Sequence, residues 1–347
     1  MTVSIMNQTP ASLLLQSQSN ESSPGKLLLR SFSSSDPDEH ASLLSGWEQT
    51  YDQLSPGKFS GELIDCWMDD LQLFREITKQ SVQQIGCSWR RSRTFLIPFA
   101  MDGHARWGNG TSEIMDMMGP VTLSGNDQLD FRTPSYLDLL AVSVDAESLS
   151  KFSLMTENFD FESQLIGKGR LATNQQQLCE LRALLATLFD SIQATPDLFQ
   201  FGAVKKIVKQ SILTSIISTF SNVDATTATG TGRRSMAHYR TVQKAKEYIL
   251  ENVDEPVTMT DLCNLLAVSR RTLHTCFLEV TGLNPVHYLR TVRLNKVRRE
   301  LRTTNSTSTK VQDVAARWGF WHLGHFATEY KRMFGEQPSE TLRKNWN

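Results

Sequence analysis

LAVSRRTLHTCF, residues 266–277, reads as a helix end, a short turn and a second helix, and it decides the fold of the last third of the chain. Upstream, Thr258 can cap a helix running through DLCNLLA, with Asp261 three residues on as an approximate capping box. After the turn at Ala267–Val268, Ser269 can cap the next helix. On that helix Leu273 and Phe277 stand four apart and face inward, whereas Arg271, His274 and Thr275 share an exposed face. Such a face is either a solvated helix surface or one that enters a major groove, where long or hydrogen-bonding side chains meet base edges.

The unit recurs. VQDVAARWGFWHLGHFATEYKRMFGEQP (311–338) matches MTDLCNLLAVSRRTLHTCFLEVTGLNP (259–285). Phe326 falls on Leu273, Tyr330 on Phe277, Gly335 on Gly282 and Pro338 on Pro285 at an offset of 53; the upstream helices match at 52, so the second turn has one extra residue. Between the units, HYLRTVRLNKVRRELRTT (287–304) predicts a basic helix long enough to connect them rigidly. Arg290, Arg293, Lys296, Arg298 and Arg299 lie on or beside this strut, and a helix of 3.6 residues per turn cannot aim all of them at phosphate; for Arg290 and Arg293 the alternative is pairing with acidic neighbours. Leu262, Leu273, Phe277, Leu294, Val314, Ala315, Phe326 and Tyr330 read as core, and Gly282 and Gly335 as tight or left-handed turns before the prolines. Trp318 and Trp321 read as packing residues, because an intact duplex offers no splayed bases for stacking.

Charge points to the same end. The formal net charge is -1, but residues 236–347 hold 17 Lys+Arg against 11 Asp+Glu, leaving the first 235 residues acidic. Five scattered cysteines without CxxC spacing suit a reducing compartment and give no zinc pattern. Apolar runs fall short of the roughly 18–20 residues a membrane span needs. The opening MTVSIMNQTPASLLLQSQS lacks a basic leader, so a cytoplasmic protein is expected.

The chain divides into a polar segment (1–35), a β-rich domain with trailing helices (36–220), a flexible Thr- and Gly-rich linker (221–235) and a helical domain (236–347), an α+β class overall. SFSSSDPDEHA (31–41) reads as a loop feeding a helix around Leu43–Leu54. FSGELIDCW (59–67), LQLFREIT (71–78), TFLIPFA (94–100), PVTLSG (120–125) and LDLLAVSV (137–144) read as strands of an antiparallel barrel or sandwich. LCELRALLATLFDSI (178–192) and FGAVKKIVKQSILTSIISTF (201–220) are helices whose apolar faces cover either the barrel or a partner subunit. Another helix is expected at about Tyr239–Asn252.

His104, Glu62, Asp65 and Glu76 lack metal-site spacing, so no metal or cofactor is expected. Trp67, Phe74, Trp89, Phe95, Phe99 and Trp107 read as barrel filling ahead of a pocket lining. GxSxG, HExxH and a glycine-rich phosphate loop are absent from the sequence, which leaves an enzyme as a distant alternative; an interaction protein that has kept the fold without DNA binding is the other.

The carboxy-terminal third resembles the AraC/XylS transcription regulators, through SRRTLHTCFLEVTGLNPVHYLRTVRLNKVRREL and VQDVAARWGFWHLGHFATEYKRMFGEQPSETLR, over roughly residues 240–345. The resemblance implies two helix-turn-helix units contacting successive major grooves on one face of double-stranded DNA. It places base-reading positions on Arg271, His274 and Thr275, flanked by Ser269 and Arg270, and on Leu323, Gly324 and Thr328. Leu323 and Gly324 cannot make bidentate base contacts, so the second unit is expected to hold phosphate through His322 or Lys331, with Leu323 making at most an apolar contact to a thymine methyl. HASLLSGWEQTYDQLSPGKFSGELIDCWMDDLQLFREIT (40–78), with the later FLIPF, resembles the sensors of ethanolamine-operon regulators, which implies a cupin-like barrel followed by helices. Together the resemblances imply a transcriptional activator controlled by a small-molecule effector, acting as a homodimer, with RNA polymerase as a further candidate partner.

Overall fold

The computed structural model describes residues 27–108, 112–117, 119–125, 127–171, 173–221, 233–252, 257–304 and 309–344. The opening stretch MTVSIMNQTPASLLLQSQS and most of the expected linker lie outside the described residues.

Asp36 opens the first helix, α1 (Pro37–Leu43), by accepting from the Glu39 amide at 2.9 Å, and Pro37 occupies its first turn. This early start overturns the helix expected at Leu43–Leu54. The alternating EQTYDQ segment instead forms strand β2 (Glu48–Gln53), and the Ser-rich stretch expected to be a loop forms β1 (Leu28–Ser34), which reaches into the segment assigned to residues 1–35. The strands β3 (Ser60–Met68), β4 (Leu71–Lys79), β6 (Ser92–Met101), β9 (Val121–Ser124) and β11 (Tyr136–Asp145) fall on the five predicted runs. Shorter pieces, β5 (Val82–Cys87), β7 (Ala105–Gly108), β8 (Ser112–Met115) and β10 (Leu129–Arg132), complete the set.

Two sheets result, ordered β1-β3-β4-β11-β6-β9 and β2-β5-β10-β7-β8, with every strand pair antiparallel. Alternation along the strands of the larger sheet separates two cores. Leu63, Phe74, Leu96 and Leu139 meet Trp107, Leu129 and Phe131 of the smaller sheet. Cys66, Leu71, Leu73, Phe95, Leu140 and Val142 face the other way, onto helices. The six aromatics considered together as a barrel lining are therefore divided, with Phe95 and Phe99 on the helical side and Phe74 and Trp107 between the sheets. Between the sheets the His40 ring lies 3.1 Å from Glu76, which also accepts from the Tyr51 hydroxyl at 2.7 Å, and Asp65 accepts from Arg30, Ser45 and Gln72. Glu76 and Asp65, weighed above as metal ligands, are thus taken up in separate polar clusters.

The helices α2 (Ala146–Glu157), α3 (Phe161–Leu165), α4 (Gln175–Ala194) and α5 (Gly202–Ser221) follow β11. Leu178, Leu181, Leu185 and Phe189 of α4, and Ile212, Leu213 and Ile216 of α5, pack on the larger sheet of their own chain. Each such fully buried side chain contributes about 1.5–3 kcal/mol.

The carboxy-terminal domain begins with α6 (Arg233–Glu251), which starts inside the stretch assigned to the linker, and continues through α7 (Met259–Leu266), α8 (Arg270–Thr281), α9 (Pro285–Thr303), α10 (Val311–Arg317), α11 (Leu323–Phe334) and α12 (Pro338–Arg343). At 19 residues, α9 is about 28 Å long. Tyr288, Leu289 and Val292 enter the core of α6–α8, while Leu294, Val297 and Leu301 enter that of α10–α12.

Gly61 lies under α1, and a Cβ there would sit 2.5 Å from the His40 ring. Gly61→Ala should destabilise the protein by about 1–3 kcal/mol in a urea titration; an unchanged midpoint would show that α1 gives way without cost.

Candidate nucleic-acid interface

Both expected turns form, and their backbones correspond residue by residue. Thr258 and Asp261 make a reciprocal capping box on α7. Ala267 (φ 51°) and Gly319 (φ 77°) take the left-handed conformation at equivalent positions. The Val268 amide donates to the Cys263 carbonyl at 3.1 Å, as the Phe320 amide donates to Ala315 at 2.9 Å, each pair offset by 52. From Ser269 and His322, the residues that precede α8 and α11, the offset is 53, up to the left-handed glycines Gly282 (φ 67°) and Gly335 (φ 72°). The single extra residue is Trp321.

This placement corrects the assignment of Trp321 to packing. Phe320 takes the inward role, buried 5.0 Å from the Phe326 ring, and Trp321 is left 79% exposed with its ring 3.9 Å from that of His322. Trp318 is partly buried and donates its indole N–H to Glu300 at 2.6 Å, as a packing residue should.

On the first unit Ser269 caps α8 by accepting from the Thr272 amide at 3.1 Å. Arg270, Arg271 and His274 are exposed; Arg270 donates to the Thr260 hydroxyl at 3.2 Å, and neither arginine has a carboxylate in ion-pair range among the described residues. Thr275 is half-buried and bonds back to the Arg271 carbonyl at 3.1 Å. On the second unit His322, Leu323, Gly324, Thr328 and Lys331 are all exposed, and Thr328 bonds back to the Gly324 carbonyl at 2.9 Å. His322 makes no side-chain cap bond, unlike Ser269. The two sets lie on separate helices joined through α9.

The strut arginines are otherwise engaged. Arg290 donates to Glu329 at 2.5 Å, and Arg293 donates to the Val257 carbonyl. Arg298 pairs with Asp36 at 2.5 Å and with Glu336 at 3.4 Å, while Arg302 also reaches Asp36. Arg299 pairs with Asp38 at 2.6 Å and Asp52 at 2.8 Å, and donates to the Tyr51 carbonyl. Burial pushes the Asp38 carboxyl up from its ordinary value, against the opposing pull of Arg299. Burial also works against the Arg299 charge, but Asp52 and Asp38 outweigh it and hold its pKa above the usual range. Arg298, Arg299 and Arg302 thus bind α9 to the β-rich domain, a role the sequence reading missed, whereas Arg290 and Arg293 stay within the helical domain.

The docking extends further. Asn295, buried in mid-helix, accepts from the Gln53 amide at 3.0 Å and donates to the Gln53 carbonyl at 2.9 Å, imitating a strand neighbour of β2. The Gly57 amide donates to the Arg332 and Met333 carbonyls at 3.1 Å each, near the end of α11. At the end of α8, Arg106 donates to the Glu279 carbonyl at 2.5 Å. Burial, then the neighbouring Arg106 charge, brings Arg132 down to about 10. The β-rich domain therefore touches α9 and the carboxy-terminal ends of α8 and α11, while the amino-terminal turns of α8 and α11 keep their side chains exposed.

Residues 262–344 match a family model described as a helix-turn-helix domain. The chain is 37% identical over 102 residues to the probable thc operon regulatory protein of Rhodococcus erythropolis, covering 29% of this chain and 31% of that protein. It is 37% identical over 100 residues to the XylDLEGF operon transcriptional activator 2 of Pseudomonas putida, covering 29% of this chain and 64% of that one. A solved structure of a probable AraC family transcriptional regulator from Rhodopseudomonas palustris is 36% identical, with 30% of this chain and 97% of that chain covered and a TM-score of 0.28. The carboxy-terminal third is thus a helix-turn-helix domain, similar in sequence to proteins named as transcription regulators. The matches span less than two thirds of either curated relative.

Asp36→Asn keeps the cap oxygen of α1 and removes the charge facing Arg298 and Arg302. We expect a loss of about 3–5 kcal/mol of unfolding free energy and faster hydrogen exchange in α9; unchanged exchange there would contradict the docking role of the pair.

Proposed function

We propose that the protein is a sequence-specific transcription regulator that binds double-stranded DNA through both helix-turn-helix units, an activator controlled by a small-molecule effector. The observation that carries this reading is the duplicated unit, with two exposed recognition faces held by one continuous α9. Helix α9, about 28 Å long, is of the same scale as the helical turn that separates successive major-groove segments. Arg271, His274 and Thr275 read base edges, with Ser269 and Arg270 beside them. The second unit contributes through His322, Leu323, Gly324, Thr328 and Lys331.

The β-rich domain is the sensor, cupin-like in kind and of the ethanolamine-operon regulator type, a reading supported by its two antiparallel sheets packed around a shared core. At its start, residues 36–58, with α1, β2 and the 55–58 loop, make much of the docking surface. An effector that favours one docking geometry would shift the population of DNA-competent molecules by its differential affinity for the two states. The chain acts as a homodimer in the cytoplasm and meets RNA polymerase at the promoter. Phe201 and Ile207, both 62% exposed on or beside α5, support a subunit contact there.

Genomic fragments selected by the purified full chain should converge on one motif. Arg271→Ala should weaken binding to the selected duplex by about 1–3 kcal/mol, roughly tenfold to a hundredfold. Wild-type affinity in the variant would remove that base contact, and failure of selection both with and without candidate metabolites would remove the DNA-binding reading.

A further inference from the structure

Resting on the DNA-binding reading, we infer that the second unit reads DNA through an apolar surface, made by Trp321, Leu323 and the bare backbone of Gly324, that fits the methyl edge of thymine in the major groove. Trp321 is the one residue by which the second turn exceeds the first. Phe320 already fills the inward position, so folding gives the insertion no packing role, and the indole is 79% exposed beside Leu323 at 43%. At the equivalent positions the first unit carries Arg270 and Arg271 where the second has Leu323 and Gly324.

Gly324 supplies an independent observation. It is helical, and a Cβ built on it meets nothing within 4 Å. Neither a left-handed backbone nor internal crowding calls for glycine there, although glycine is a poor helix former. Space in front of a recognition helix that the chain itself leaves empty fits close approach by a partner. The amino-terminal residues of such a helix are those that meet base edges. Thymine alone presents a methyl group in the major groove, and an apolar side chain is its complement. His322 and Lys331, exposed on the same helix and its cap, place cationic or hydrogen-bonding groups where the flanking phosphates would lie. The unit thereby gains discrimination with fewer ionic contacts than the first.

The test uses the full chain and the duplex it selects, with Arg271→Ala as the control for DNA binding. Replacing thymines one at a time by deoxyuridine removes only the methyl; at one or two positions we expect about a fourfold loss of affinity, the equivalent of one buried CH2 group. That loss should vanish in Trp321→Ala/Leu323→Ala, which itself binds roughly tenfold more weakly, with the salt dependence unchanged. Gly324→Ala should weaken binding while its melting temperature stays level or rises, which excludes unfolding as the cause. If Arg271→Ala weakens binding but no deoxyuridine substitution does, or if Gly324→Ala binds as well as the wild type, this inference is overturned and the DNA-binding reading stands. If no duplex is bound at all, the DNA-binding reading itself fails, and the inference with it.

Discussion

Helix α9 has to satisfy three surfaces at once. Tyr288, Leu289 and Val292 belong to the core of the first unit, Leu294, Val297 and Leu301 to that of the second, and Asn295, Arg298 and Arg299 to the contact with the β-rich domain. With all sides committed, the helix cannot turn about its axis without breaking a core or exposing a buried ion pair. The relative placement of the two recognition helices therefore follows from α9, and the β-rich domain holds α9 directly. A change of docking at α1 or β2 thus bears on the placement of both units without touching either exposed face.

The parts legible in the sequence were those governed by local chemistry. Capping at Thr258 and Ser269, the four-residue spacing of Leu273 and Phe277, and the left-handed glycines ahead of Pro285 and Pro338 are short-range demands, and each is met. The five apolar runs became strands for the same reason. What could not be read was nonlocal. A Ser-rich stretch became β1 because β3 offered it an edge, and the short β5, β7, β8 and β10 exist through pairing more than propensity. For Arg298 and Arg299 the sequence leaves a phosphate contact open, because their carboxylate partners Asp36, Asp38 and Asp52 lie more than 200 positions away in sequence.

Trp321 is placed by an insertion that the repeat itself displays. The shift in repeat offset from 52 to 53 already marks an insertion between the two helices of the second unit, and an inserted residue has no counterpart in the shared core. Once Phe320 occupies the inward position, the indole has only the outside to face. The two units are copies in backbone and unlike in surface: one carries arginines, the other an aromatic, a leucine and a glycine. A duplicated fold can in this way divide recognition between charge-rich and apolar contacts while keeping one frame.

The central claim is that both units engage one duplex together. Hydroxyl-radical footprinting of the full chain on its selected fragment measures this directly. The account predicts two protected windows about one helical turn apart on the same face of the DNA. A single window of one half-site, or two windows on opposite faces, would contradict it.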